Sequence, residues 1–81
     1  MTSNKKTVFH PGMYIKEAIE EMGISQNEFS CRCGLEPAYV FALLDGGSDI
    51  TDETARKLAA FFGTSSEGWI NLQARFDFAK A

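Results

Sequence analysis

The residues of this chain that could do chemistry are two cysteines and one histidine. Cys31 and Cys33 form a Cys-x-Cys pair, and His10 is the only histidine. Residues two apart on a helix point about 200° away from each other, so one helix cannot bring both thiolates to one metal ion or into one disulfide. Zinc sites use other spacings. We therefore expect no metal and no other cofactor, with Cys33 in a small core position and Cys31 at or near the surface.

The chain also lacks the residue combinations that enzymes use. It has no nucleophile spaced to meet a base and no glycine loop of the kind that cradles a phosphate. No second histidine accompanies His10, which lies next to Pro11 and is expected to be a helix cap or a surface residue. We predict that the protein is not an enzyme and has no small-molecule substrate.

Residues 25–47 carry the clearest structural pattern of the sequence. Ser25 is followed three residues later by Glu28, which is the spacing of a capping box at a helix start. Gly34 tolerates the left-handed conformation that ends a helix, and Pro37 suits the first turn of the next one. The spacing predicts two short helices joined by a tight turn, which is the helix-turn-helix pattern.

Three more helices are predicted around this pair. One follows His10-Pro11-Gly12, a fourth is capped by Thr51 and runs to about Phe62, and a fifth begins with a capping box of Thr64 and Glu67. No segment alternates as a strand does. We predict an all-α fold of five helices in a single domain, residues 10–81, after a flexible N-terminal segment, residues 1–9. The predicted core consists of Ile15, Ile19, Phe29, Val40, Leu43, Leu58 and Phe62.

The charge of the chain bears on nucleic-acid binding. Formal net charge is -3, with a pI near 5.0, whereas DNA-binding domains usually carry a basic face. Arg32 is the only cation of residues 25–50, where the anions are Glu28, Glu36, Asp45 and Asp49. No apolar run approaches the ~18 residues that span a membrane, and the N-terminus lacks the apolar middle of a signal peptide. We expect a cytoplasmic protein that does not associate with membranes.

Residues 10–78 resemble the HigA-like antitoxins, a branch of the Xre/Cro-like helix-turn-helix regulators. The resemblance rests on HPG at residues 10–12, SQNEF at 25–29, DITDETARKLAAFFGTS at 49–65 and WINLQARFD at 69–77. It implies a lambda-repressor-like domain that dimerises partly through its C-terminal region. It also implies that the protein binds the operator of its own operon and neutralises a small ribonuclease toxin.

The resemblance places the DNA contacts on the second and third helices. Gln26 is expected either to meet a DNA phosphate at the helix N-terminus or to be a plain solvated residue. Tyr39 and Phe41 are expected to point outward, where they touch thymine methyl groups or form an apolar patch for a protein partner. The predicted DNA-binding set is Gln26, Arg32, Pro37, Ala38, Tyr39, Phe41 and Ala42.

The fifth helix carries a second candidate surface. Trp69, Leu72, Gln73 and Phe76 lie on one stripe at the helical period. Such a stripe is either part of the core or the seam of a homodimer, and the sequence leaves both alternatives open.

The sequence departs from the pattern of its relatives in three places. The recognition helix lacks the polar and basic residues that usually reach bases and phosphates, Gly68 stands where a large apolar residue is usual, and Cys31 and Cys33 replace small, basic or aliphatic residues. The leading hypothesis is a homodimeric helix-turn-helix transcriptional regulator of antitoxin type that binds operator DNA weakly. The alternative is a protein-interaction module that kept the fold but lost sequence-specific DNA binding.

Overall fold

The computed structural model describes residues 10–80 as five α-helices without a strand in that range. The predicted flexible segment, residues 1–9, lies outside the described residues. The helices are α1 (Pro11–Met22), α2 (Gln26–Cys33), α3 (Pro37–Leu44), α4 (Asp52–Phe62) and α5 (Ser66–Lys80). The prediction of an all-α, five-helix fold is confirmed. None of the helices in the described range is long and apolar enough to cross a membrane.

Every helix start except that of α3 is capped by a side chain, with one difference from the prediction. Ser25 Oγ accepts a hydrogen bond from the Glu28 amide at 3.1 Å, and Thr51 Oγ1 accepts one from the Thr54 amide at 3.2 Å. The prediction of a Thr64 cap on α5 is wrong. Ser65 Oγ accepts the hydrogen bond from the Gly68 amide at 3.1 Å, and α5 therefore begins one residue later than a Thr64 cap would give.

The core lies between all five helices, and six of its seven predicted residues are buried. Phe62 is the exception, because it ends α4 and its ring is only half-buried between Phe29 and Trp69. Phe29 is fully buried and meets the Phe61 ring edge to face, with 5.1 Å between ring centroids. Burial of aromatic rings of this size is a main source of stability in a small domain. The predicted residues found buried are Ile15, Ile19, Phe29, Val40, Leu43 and Leu58.

The start of α1 lies directly against the end of α3. His10 caps α1 with its side chain, since Nδ1 accepts a hydrogen bond from the Gly12 amide at 2.9 Å. The imidazole is 5 % exposed and meets the Phe76 ring of α5 edge to face. The cap alternative for His10 is therefore confirmed, and the surface alternative is wrong. A β-carbon on Gly12 would lie 1.9 Å from the Leu43 carbonyl oxygen, so only glycine allows the two helices this close approach.

Candidate nucleic-acid interface

The turn between α2 and α3 is fixed by backbone and side-chain hydrogen bonds. Gly34 adopts φ 77°, and both its amide and that of Leu35 donate to the Ser30 carbonyl oxygen. Lys57 Nζ of α4 donates to the Gly34 carbonyl oxygen at 2.8 Å. Pro37 takes the first position of α3, where a missing amide hydrogen costs nothing. These bonds hold α2 and α3 in the helix-turn-helix arrangement that the sequence predicted.

Helix α3 has one buried and one exposed face. Val40, Leu43 and Leu44 point into the core. The opposite face exposes Pro37, Ala38 and Phe41, with Ala42 half-buried beside them. Phe41 is 68 % exposed and, together with Pro37 and Ala38, forms an exposed apolar patch. The exposed face of α3 is thus apolar and uncharged up to Asp45, as the sequence indicated.

The expectation that Tyr39 points outward is wrong. Its ring is half-buried against the core, and its hydroxyl donates a hydrogen bond to the Asp49 carbonyl oxygen. The same hydroxyl oxygen accepts a hydrogen bond from Thr54 Oγ1 at 3.0 Å. Tyr39 lies next to Val40 along the helix, at the edge of the buried face, and a tyrosine there can bury its ring while its hydroxyl finds polar partners. Phe41 is therefore the large exposed side chain of α3.

The cation predicted to meet DNA is paired within its own helix. Arg32 Nη2 lies 2.5 Å from Glu28 Oε2, and the side chains are 54 % and 42 % exposed. Because Glu28 turns toward Arg32, only the Ser25 half of the predicted capping box forms. An exposed pair of this kind contributes little to stability, about 0 to 1 kcal/mol. Arg32 can therefore exchange Glu28 for a phosphate at low cost, but the carboxylate stays beside the site.

The predicted phosphate contact, Gln26, is half-buried at the first position of α2. Its neighbours at the helix start are the Ser25 cap and the first-turn Glu28. The backbone amides of a helix start favour an anion, whereas the Glu28 carboxylate opposes one. Gln26 thus lies at the start of α2, where the Glu28 carboxylate of the same turn opposes a phosphate.

The stripe on α5 divides between the interior and the surface. Gln73 is 6 % exposed, so for this residue the structure supports the core alternative. Trp69, Leu72 and Phe76 are half-buried. Trp69 Nε1 donates to Thr64 Oγ1 at 2.9 Å. The outer side of α5 also exposes two large apolar residues, Ile70 at 37 % and Phe78 at 87 %.

The two cysteines lie where the sequence placed them. Cys33 is 8 % exposed, with its thiol 3.5 Å from the Lys57 carbonyl oxygen, and Cys31 is exposed. Burial raises the pKa of the Cys33 thiol, and the nearby Lys57 ammonium partly opposes that shift. Within residues 10–80, no three side chains of metal-binding type come together. The thiol of Cys33 is therefore a packing group in its protonated form.

Sequence reasoning missed a polar network that joins α3, α4 and α5. Gln73 Oε1 accepts a hydrogen bond from the Ile50 amide at 2.8 Å, and Gln73 Nε2 donates to Asp49 Oδ1 at 3.2 Å and Asp77 Oδ1 at 3.0 Å. Tyr39 reaches the same segment through the Asp49 carbonyl oxygen. The available signal was a glutamine on the apolar stripe of α5, because a buried amide needs partners.

Comparison with known proteins agrees with this architecture. The sequence model of the helix-turn-helix family matches residues 15–69. The HTH-type transcriptional regulator YddM of Escherichia coli K12 is 35% identical over 71 residues, which cover 88% of this chain and 76% of that protein.

Two solved structures are similar over most of the chain. An addiction module antidote protein of a HigA family from Coxiella burnetii has a TM-score of 0.86 and 35% identity, and the match covers 90% of this chain and 80% of that one. The Pseudomonas aeruginosa antitoxin HigA, solved with the higBA promoter, has a TM-score of 0.86 and 25% identity, with coverages of 91% and 82%. Proteins of this family and fold are regulators and antitoxins, which confirms the prediction that the chain is not an enzyme. The chain belongs to the helix-turn-helix family of DNA-binding transcriptional regulators, and within it the chain is similar to the HigA-type antitoxins.

Proposed function

We propose that the protein is an antitoxin-type repressor, which binds the operator of its own promoter as a homodimer and neutralises a small toxin protein in the cytoplasm. The observation that carries this proposal is the exposed face of α3, held beside α2 in a chain that superimposes on HigA antitoxins. One of those antitoxins was solved with its promoter, which favours DNA binding over a module that has lost it.

In this proposal α3 enters the major groove with its exposed face toward the bases. Pro37, Ala38, Phe41 and Ala42 can make apolar contacts, for which the thymine methyl group is the matching feature of a base edge. Gln26 at the start of α2 and Arg32 near its end contact the phosphates. Tyr39 supports the helix from behind, because its hydroxyl is engaged inside the domain.

The charges near α3 predict weak binding. Arg32 is paired with Glu28. Lys57 Nζ lies 3.3 Å from Glu53 Oε2 and also donates a hydrogen bond to the Gly34 carbonyl oxygen. Each phosphate contact by a cation makes the affinity fall with rising salt, and the carboxylates beside Arg32 and Lys57 oppose such contacts by these two cations. We expect weak operator binding with a shallow dependence on salt.

Titration with promoter DNA tests the proposed operator binding. The duplex upstream of the protein's own reading frame should bind at least about tenfold more tightly than a random duplex of equal length, because apolar base contacts discriminate even where phosphate contacts are few. Fluorescence anisotropy titrations at 50 mM and 200 mM salt measure the affinity for each duplex and how that affinity depends on salt. Equal affinity for the two duplexes would contradict operator reading, and nanomolar affinity with a steep salt slope would contradict the prediction of weak binding.

The proposed homodimer uses the part of α5 that the domain leaves exposed. Trp69, Leu72 and Phe76 are half-buried and Phe78 is 87 % exposed, so the helix retains apolar area for a second subunit. A two-fold dimer would present two copies of α3 to successive major grooves. Sedimentation at micromolar concentration should give about twice the 9.0 kDa mass of the chain. A mass of one chain at every concentration would contradict the dimer.

A further inference from the structure

Gln73 connects the C-terminal helix to the segment that directly follows the DNA-reading helix. Its side chain is 6 % exposed, and both ends of the amide are used. The oxygen accepts the Ile50 amide hydrogen at 2.8 Å, and the nitrogen donates to Asp49 and Asp77 at 3.2 Å and 3.0 Å. A buried amide that is hydrogen-bonded at both its oxygen and its nitrogen restricts the position of its partners.

The same segment is also attached to α3 and α4 by a second set of hydrogen bonds. Thr51 Oγ1 donates to Thr54 Oγ1 at 3.1 Å, and Thr54 Oγ1 donates to the Tyr39 hydroxyl at 3.0 Å. The Tyr39 hydroxyl donates to the Asp49 carbonyl oxygen. Asp49 is therefore the residue at which bonds from α3 and α5 meet.

Helices α3 and α5 do not pack mainly on each other, but they share α1 as a packing partner. Helix α3 packs mainly on α1 and α2, and α5 packs mainly on α4 and α1. The near half of the connecting segment is bound to α3 itself, because the Gly47 amide donates to the Ala42 carbonyl oxygen at 2.8 Å. The far half, Asp49 and Ile50, is bound to Gln73. Asp49, Ile50 and Gln73 thus add a hydrogen-bonded connection between α3 and α5 to the packing that both helices make on α1.

We propose that Gln73 is a positioning residue for DNA reading: through Asp49 and Tyr39 it sets the orientation of α3 relative to α5. This inference rests on the proposed operator binding and adds to it a residue that touches no DNA. When α3 is incorrectly oriented, Gln26 and Arg32 of α2 can still meet phosphates, whereas the base contacts of α3 require correct placement. Loss of Gln73 should therefore reduce discrimination between sequences far more than it reduces affinity for DNA in general.

The first test replaces Gln73 by leucine, which has a side chain of similar size but no amide group. Gln73→Leu should lower the ratio of promoter affinity to random-duplex affinity about tenfold, with random-duplex affinity unchanged within about twofold. Ile15→Val, a core change on α1 outside the network, is the control for general loss of stability and should leave the ratio unchanged. All titrations are run well below the melting temperature of each variant. If both variants change the ratio equally, or neither changes it, the positioning role is wrong.

The second test reverses donor and acceptor in the hydrogen bonds that the side chain at position 73 makes with positions 49 and 77. Gln73→Glu places a carboxylate against Asp49 and Asp77, which should lower the ratio as Gln73→Leu does. Adding Asp49→Asn and Asp77→Asn removes both neighbouring carboxylates, supplies donors to the new carboxylate at position 73 and should restore the ratio to within about threefold of the native value. Asp49→Asn with Asp77→Asn beside the native Gln73 controls for the altered charge, since each new amide oxygen can still accept from Gln73. Failure of the triple variant to recover while each protein stays folded would contradict the proposal.

Amide hydrogen exchange separates this inference from the proposed function. In Gln73→Leu the Ile50 amide loses its acceptor and should exchange at least about tenfold faster relative to core amides of α1. If the native protein shows no promoter preference, operator binding is wrong, and the positioning of α3 for DNA reading is wrong with it, whatever the exchange result. If the native protein prefers the promoter and Ile50 exchanges at its native rate in Gln73→Leu, the proposed function stands and the role of Gln73 is refuted.

Discussion

Gly12→Ala should lower the free energy of unfolding by about 3 kcal/mol or more, the largest stability effect that we expect from a single added methyl group. The new β-carbon would lie 1.9 Å from the Leu43 carbonyl oxygen and 2.8 Å from its carbonyl carbon. These are backbone atoms of α3, so no side chain can rotate away to make room. Either α1 shifts away from α3 or the His10 cap is lost.

The size of this effect follows from the marginal stability of small domains. Stability of roughly 0.05 to 0.15 kcal/mol per residue gives a domain of this length a total on the order of 4 to 12 kcal/mol. A loss of about 3 kcal/mol is a large part of that total, and it corresponds to a melting temperature lowered by roughly 12 to 24 °C. Thermal unfolding followed by circular dichroism measures the shift.

Gly68→Ala is the matched control, because it adds the same methyl group where there is space. Its β-carbon would have Ser65 Oγ at 3.5 Å as its near neighbour, which is an ordinary contact. A pocket of about 220 Å³ lies there, lined by Gly68, Trp69 and Leu72 among others. Alanine should stabilise the first turn of α5 by about 0.5 to 1 kcal/mol. A Gly12→Ala protein that melts within about 3 °C of the native one would show that α1 and α3 can separate without cost.

Much of the fold could be predicted from the sequence because its signals are local. Pro37 and Gly34 mark a helix start and a helix end by their own backbone preferences, and both stand at those positions in the structure. The periodic apolar residues of α1 to α4 likewise identify their buried faces without knowledge of any partner. The helix-turn-helix arrangement follows from such signals alone.

Apart from the one-residue shift of the α5 cap, what the sequence did not predict depends on partners that are distant along the chain. Tyr39 lies at the edge between the two faces of α3, and its direction is decided by Asp49 and Thr54, ten and fifteen residues away. Gln73 has the apolar spacing of a seam residue, but its amide is bound to residues before α4. Helical periodicity gives the direction of a side chain around the helix axis, but it does not show which polar groups of other segments lie in that direction.

Charge on the exposed side of α3 is the feature that we expect to limit DNA affinity most. Asp45→Asn combined with Gly47→Lys should raise affinity for generic duplex DNA by about one to two orders of magnitude at 50 mM salt, since a carboxylate is removed and a cation is added near the phosphates. Asp45 is exposed at the end of α3. Gly47 is exposed, its φ is not positive, and a β-carbon there would lie 3.6 Å from the Ala42 carbonyl oxygen, so lysine fits without strain.

The salt dependence distinguishes a local contact from an effect of net charge. The double variant should steepen the slope of log affinity against log salt by about one, the value for one additional phosphate contact. Glu67→Lys, an exposed change at the start of α5, makes the same change in net charge away from α3 and should leave the slope nearly unaltered. Anisotropy titrations of the three proteins over several salt concentrations give the slopes. If Glu67→Lys gains as much affinity as the double variant, DNA does not approach α3, and the assignment of the reading face to Pro37, Ala38 and Phe41 is wrong.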